Sequence, residues 1–187
     1  MIPTSSHHRA FLTTDYLTQL ISLLKEQGFN SEQILDQSQL REEDFQNNSR
    51  ISPMQYQQIV ENALHLTQDP LLGIKHGQGL SISSHGFVGF AAMAADDLGQ
   101  ALSLAIRYAR TRTLLADIRF HKEDDSAVIQ VNRMASMPDT FPFVVENIIS
   151  SFIGVARFLI SKQEELSAII KLTHAPRANP EAYEQLF

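Results

Sequence analysis

Chemistry in this chain would have to come from a short set of side chains. Seven histidines are present and no cysteine, so thiolate nucleophiles, disulfides and cysteine-ligated metal or iron–sulfur centres are excluded. His7 and His8 lie close to the N-terminus. His65, His76, His85, His121 and His174 show no i, i+4 pairing of the kind that holds zinc on one helix face, and nothing near them selects an axial haem ligand. Ser83-Ser84-His85-Gly86 sets serine beside histidine. Neighbours in sequence do not reach nucleophile–base geometry, and no strand–turn–helix elbow surrounds them. Gly77-Gln78-Gly79 lacks both the third glycine of a dinucleotide turn and the lysine–serine pair of a phosphate loop. The carboxylate pairs Glu42-Glu43, Asp96-Asp97, Asp124-Asp125 and Glu164-Glu165 are adjacent residues at expected turns and helix ends, where solvation and capping account for them. No assembled nucleophile, metal set or acid–base pair emerges, so the reading is not an enzyme, without cofactor or metal.

Two features remain. One is a run of guanidinium groups, Arg107, Arg110, Arg112 and Arg119, in a chain whose formal net charge is −6. It reads either as a solvated face or as the anchor for a small anionic ligand. The net charge repels a phosphate backbone, so this chain alone is not expected to bind DNA. The other is Glu146, flanked by Asn147, Ser150 and Ser151 in an otherwise apolar stretch from Phe141 to Ile160. A carboxylate buried on such a helix costs several kcal/mol unless it is paired, so Glu146 is expected to meet an arginine, a structural water or a ligand.

The elements that must position these groups follow from periodicity. Leu17, Leu20, Ile21 and Leu24 form one helical stripe, with Thr13 and Thr14 as cap candidates and Gly28 as its stop. Ser31 is expected to cap a short helix through Leu35, and residues 40–45 form another brief turn. Ser52-Pro53 opens a helix whose face is Tyr56, Ile59, Val60, Ala63 and Leu64. Asp69-Pro70 opens the next, ended by Gly77 and Gly79. Asp96 is expected to cap a helix with the stripe Leu98, Ala101, Leu102, Ala105, Tyr108 and Ala109. The period then falls to 2 over residues 114–120 and 127–132, a β-hairpin turning at Lys122 to Asp125. Pro138 and Pro142 bracket the start of the long apolar helix, and Ala168 to Thr173 is a further strand candidate.

The class is therefore α+β: a mainly helical N-terminal half, then a small antiparallel sheet packed against a long apolar helix. Residues 1–12 are expected to form a disordered tail and 13–187 one domain, since no repeat or linker divides it. No signal peptide is visible, and Glu146, Asn147 and Arg157 interrupt the one long apolar segment. A cytoplasmic protein with no membrane span is expected.

Several short stretches, in order, resemble the N-terminal domain of a branch of AraC-type transcription regulators often called arabinose-binding-like. They are Asp69-Pro70-Leu71-Leu72-Gly73-Ile74-Lys75-His76-Gly77, His85-Gly86-Phe87-Val88-Gly89-Phe90-Ala91, Leu98-Gly99-Gln100-Ala101-Leu102 leading into Arg107-Tyr108, and Leu172-Thr173-His174 with Tyr183 and Phe187. The resemblance covers about Leu17 to Phe187. It implies a domain that binds a small effector such as a sugar or amino acid, dimerises, and controls a C-terminal pair of helix-turn-helix units through which alone DNA is bound. No such units are in this sequence, and the domain is expected to stop short of its natural C-terminal edge. Within that frame His85, Arg107, Tyr108, Arg112 and Glu146 are the candidate ligand-binding residues, being polar groups set among apolar stripes. A dimerisation module without ligand, built on the Leu17 to Leu24 face, and a haem or small-molecule sensor with a protein output stay open as alternatives.

Overall fold

The computed structural model describes residues 12–45, 50–109, 111–112, 115–123, 126–134, 137, 139–160 and 167–186. The tail up to residue 11, Arg110, Leu114, Asp124-Asp125, Pro138, Glu164-Glu165 and Phe187 lie outside them. The chain is α+β.

The N-terminal half is helical because each apolar stripe ends in a residue that can satisfy the backbone. Leu12–Thr13 (β1) pairs antiparallel with Arg50–Ile51 (β2), Leu12 opposite Ile51. Leu12, expected to close the tail, is instead 3% exposed and part of the core. Asp15–Glu26 (α1) buries Leu17, Leu20, Ile21 and Leu24 as expected and stops at Gly28, whose φ of 95° is open to glycine at little cost. Thr14 stands at its N-cap, but neither threonine side chain caps it. Ser31–Ile34 (α2) is capped one residue earlier than expected. Asn30 accepts from the Gln33 N–H while the Gln33 side chain accepts from the Asn30 N–H. A 3-10 turn follows over Glu42–Phe45. Pro53–Thr67 (α3) has the expected Ser52 cap, completed by Gln55, and buries Ile59, Val60 and Ala63.

Leu72–Gly79 (α4) and Phe141–Leu159 (α7) make the closest helix pair. Gly73 and Gly77 sit on the contact stripe rather than at a helix end. A Cβ on Gly73 would come within 2.7 Å of the Phe143 carbonyl oxygen, and one on Gly77 within 2.5 Å of that of Asn147. Only glycine lets the two backbones approach so closely. Between α4 and the hairpin run Phe87–Met93 (α5) and Leu98–Ala109 (α6). Asp97, not Asp96, caps α6, accepting from the Gln100 N–H at 2.7 Å, while the Gln100 side chain accepts from the Asp96 N–H.

The hairpin joins Ala116–Glu123 (β3) to Ser126–Arg133 (β4) in register Ala116 opposite Arg133. Lys122 and Glu123 are paired, so the connection is shorter than the expected turn. The long helix packs on this sheet, with the Arg133 guanidinium 5.8 Å from the Phe141 ring centre. Pro180–Glu184 (α8) closes the chain, capped by Asn179. The expected strand over Ala168 to Thr173 does not form. That segment lies mostly exposed and pairs with no strand among the described residues, and period alone cannot supply the ladder a strand needs.

Leu12, Leu17, Leu20, Leu24, Ile34, Ile51, Ile59, Val60, Leu72, Met137 and Phe143 form the main core. Among the described residues α7 is the one helix long and apolar enough to cross a membrane by length and composition. Here it lies along α4, with Phe143, Val144, Val145, Glu146, Ser150 and Ser151 buried.

Candidate functional site

Helices α1, α5, α6 and α7 converge around a cavity of about 100 Å³, room for roughly half a dozen non-hydrogen atoms. Most of its wall is apolar: Leu80, Val88, Ala92, Ala105, Val144 and Val155 among others. Its polar groups arrive from separate parts of the chain. Thr13 and Tyr16 come with the start of α1, Tyr56 from α3, His85 from the turn before α5, Arg112 from the end of α6, and Asn147 and Ser151 from α7.

These groups form a connected set. The Tyr16 hydroxyl lies 3.0 Å from His85 Nδ1, and Ser151 Oγ lies 3.3 Å from His85 Nε2. A neutral imidazole has one donor and one acceptor nitrogen, so the chain Tyr16–His85–Ser151 is satisfied in either tautomer. Burial, and after it the charge of Arg112, push the His85 pKa down to about 4. Such an imidazole is a poor base at neutral pH, and no carboxylate orients it, so the Ser151–His85 contact is not a competent nucleophile–base pair. The Arg112 guanidinium lies 5.2 Å from the Tyr16 ring centre, pairs with Asp15, and donates to the Ser84 carbonyl at 3.3 Å. Burial raises the Tyr16 pKa, and the nearby guanidinium opposes that rise. Two polar atoms in this wall have no partner, Arg112 Nε and Thr13 Oγ1. No group of three or more metal-ligating side chains occurs among the described residues.

Residues 28–187 match the family described as the arabinose-binding domain of AraC transcription regulator, N-terminal. That match spans most of the sequence. The chain belongs to this family. It is also 26% identical over 174 residues to the ornithine utilization regulator of Pseudomonas aeruginosa, an alignment covering 92% of this chain and 51% of that protein. The chain thus spans about half the length of its curated relative.

In this AraC-type domain the five candidate residues do not share one place. His85 and Arg112 line the cavity. Arg107 and Tyr108 are on α6 with their side chains exposed, outside its wall. Arg119 sits on β3, paired with Asp117 at 2.7 Å. Glu146 is fully buried on α7, as the apolar periodicity required, but its partners are neither arginine nor the cavity. Its Oε1 receives the Tyr183 hydroxyl at 3.0 Å and lies 3.1 Å from His174 Nε2, both from the C-terminal segment, while Oε2 has no partner. Tyr183 in turn accepts from the Arg177 N–H at 3.1 Å. The neighbouring Asn147 contacts His76 Nδ1 at 2.9 Å, and burial pushes the His76 pKa down to about 4.

Sequence reasoning passed over Tyr16 and Thr13. A tyrosine beside Leu17 at the head of an amphipathic helix carries no local mark of a partner 69 residues away. Ser151 and Asn147 were visible as polar interruptions of α7, but which face they occupied depended on where α4 and α5 packed.

Proposed function

We propose that this domain is the sensing part of an AraC-type regulator, that a small cytoplasmic metabolite occupies the cavity between α1, α5, α6 and α7, and that the occupied state controls a DNA-binding domain attached in the whole protein. His85 and Arg112 are the ligand-facing residues retained from the sequence; Tyr16, Asn147 and Ser151 join them. Glu146 is assigned a structural role instead. The observation that carries the reading is the convergence of polar side chains from five separate segments in an otherwise apolar cavity of this family's domain. The described lining comes from one face of α7 and from the helices packed against that face, so a ligand there is placed to bias how the helices sit. The name of the relative, a regulator of ornithine utilization, supports a small-metabolite effector. A homodimer is part of the proposal, as the assembly through which two DNA-binding domains are presented together.

The test is a thermal-shift screen of the chain against small metabolites, repeated with Ser151→Phe, which fills the cavity from α7. A ligand at a hundred times its dissociation constant adds about 2.7 kcal/mol, a rise of roughly 5 to 10 °C in a domain of this size. A hit that disappears in a folded Ser151→Phe variant supports the site. A hit that survives it places the ligand elsewhere.

A second reading, a dimerisation module with no effector, is favoured by α5, where Phe87 and Phe90 are 76% and 57% exposed and lie three residues apart on one helix face. It is the reading to adopt if no ligand shifts the melting temperature and the chain is a dimer by sedimentation.

A further inference from the structure

Within the proposed effector cavity, the pattern of charge and of unused hydrogen bonds selects a ligand class. Thr13 and Arg112 are neighbours through their backbones, the Thr13 N–H donating to the Arg112 carbonyl at 3.4 Å. Their side chains both line the cavity, and Thr13 Oγ1 and Arg112 Nε are both buried without a hydrogen-bond partner. Two adjacent orphans in one cavity wall are costly unless a bound group completes them. Arg112 Nε can only donate, and a threonine hydroxyl can donate too, so the group they receive is an oxygen acceptor.

Charge narrows the choice. Among the described lining residues Arg112 is the sole formally charged one, and its guanidinium is already matched by the Asp15 carboxylate. No carboxylate among the described lining residues could receive an ammonium group, and His85 is held neutral by its burial. A ligand carboxylate would compete with Asp15 for one guanidinium and leave two negative charges beside each other in a largely apolar space. The rest of the described wall is apolar or carries neutral polar groups: His85, Asn147 and Ser151, which are already hydrogen-bonded, and the Tyr56 hydroxyl.

We infer that, granted the cavity is the effector site, it takes an uncharged molecule with a small apolar body and one carbonyl or similar oxygen acceptor, bound at the Thr13–Arg112 end, and that it rejects free diamino acids and simple carboxylates. The inference rests on the cavity reading above and sharpens it.

The test is an NMR titration of the chain with four probes at millimolar concentration: 2-pyrrolidinone, butyrate, n-butylamine and L-ornithine. The expected result is that 2-pyrrolidinone perturbs Thr13, Arg112 and Ser151 with at least tenfold higher affinity than the three charged probes. In Thr13→Val the same titration should weaken fivefold to tenfold, while the free protein melts higher because an unpaired buried hydroxyl has been replaced by a methyl group. That opposition of signs is not what a merely structural threonine would give. If butyrate, butylamine or ornithine perturbs the same residues as strongly as the lactam, the ligand class is overturned and the cavity stands. If none of the four perturbs residues of the cavity, the class and the cavity reading fall together.

Discussion

Tyr183 donates its hydroxyl proton across 3.0 Å to the fully buried carboxylate of Glu146. This contact ties the C-terminal segment to the middle of α7, with His174 Nε2 at 3.1 Å from the same oxygen. Removing the donor leaves a fully buried carboxyl oxygen short of a partner, at a cost of roughly 1 to 3 kcal/mol. Tyr183→Phe should therefore loosen residues 167–186 from α7. Limited proteolysis is expected to cut that segment at least several times faster than in the parent chain. An unchanged cleavage rate would mean that apolar contact alone holds the segment.

The close approach of α4 to α7 depends on two glycines. Alanine at Gly73 or Gly77 drives a methyl group against a carbonyl oxygen of α7, at 2.7 and 2.5 Å respectively, and backbone oxygens cannot move aside as a side-chain tip can. Each substitution should lower stability by about 2 to 4 kcal/mol in urea unfolding. Gly79→Ala, with nothing within 4 Å of the added carbon, should change it by no more than about 1 kcal/mol. Equal effects at all three positions would contradict the crossing.

Acid should destabilise the fold through two histidines. Burial holds His76 and His85 at pKa values of about 4, below their ordinary 6.5. A depressed histidine pKa favours the neutral form in the folded state, so the stabilisation is complete above pH 6.5 and is lost as pH falls from 6.5 towards 4. The loss is on the order of 2 kcal/mol per histidine by pH 5. Urea midpoints measured between pH 7.5 and 5 should fall in this window. His85→Gln should make the fall shallower, and a slope unaltered by that variant would remove His85 from the account.

The two aspartates before α6 can be told apart. Asp97→Ala should cost about 1 kcal/mol, because its side chain accepts the Gln100 N–H. Asp96 contributes its backbone N–H to the Gln100 side chain, which alanine retains, so Asp96→Ala should be nearly silent. Chemical denaturation of the two single variants decides the matter.

The contrast between these aspartates shows where sequence was informative. Stripes such as Leu17, Leu20, Ile21 and Leu24, or Ile59, Val60 and Ala63, were legible because a helix buries one face whatever it packs against. The Ser52-Pro53 start, the β3–β4 hairpin and the α7 helix were legible for similarly local reasons. Caps at Asn30 and Asp97 were missed by one residue, since adjacent polar residues compete for the same role and φ and ψ settle which wins. The strand expected at Ala168 to Thr173 failed because strand pairing is a non-local bond.

By itself the sequence determined the class, the helices and hairpin, the burial of Glu146 and the family resemblance, all of which follow from local patterning and from residue types at fixed spacing. Which polar residues meet was decided only in three dimensions. Tyr16, His85, Arg112 and Ser151 surround one cavity while Glu146, five residues before Ser151 on the same helix, turns to Tyr183 and His174. The reason is geometric: five residues advance a helix by nearly one and a half turns, placing Glu146 and Ser151 on opposite sides of α7, and only the packing of its neighbours assigns one side to the cavity and the other to the C-terminal segment.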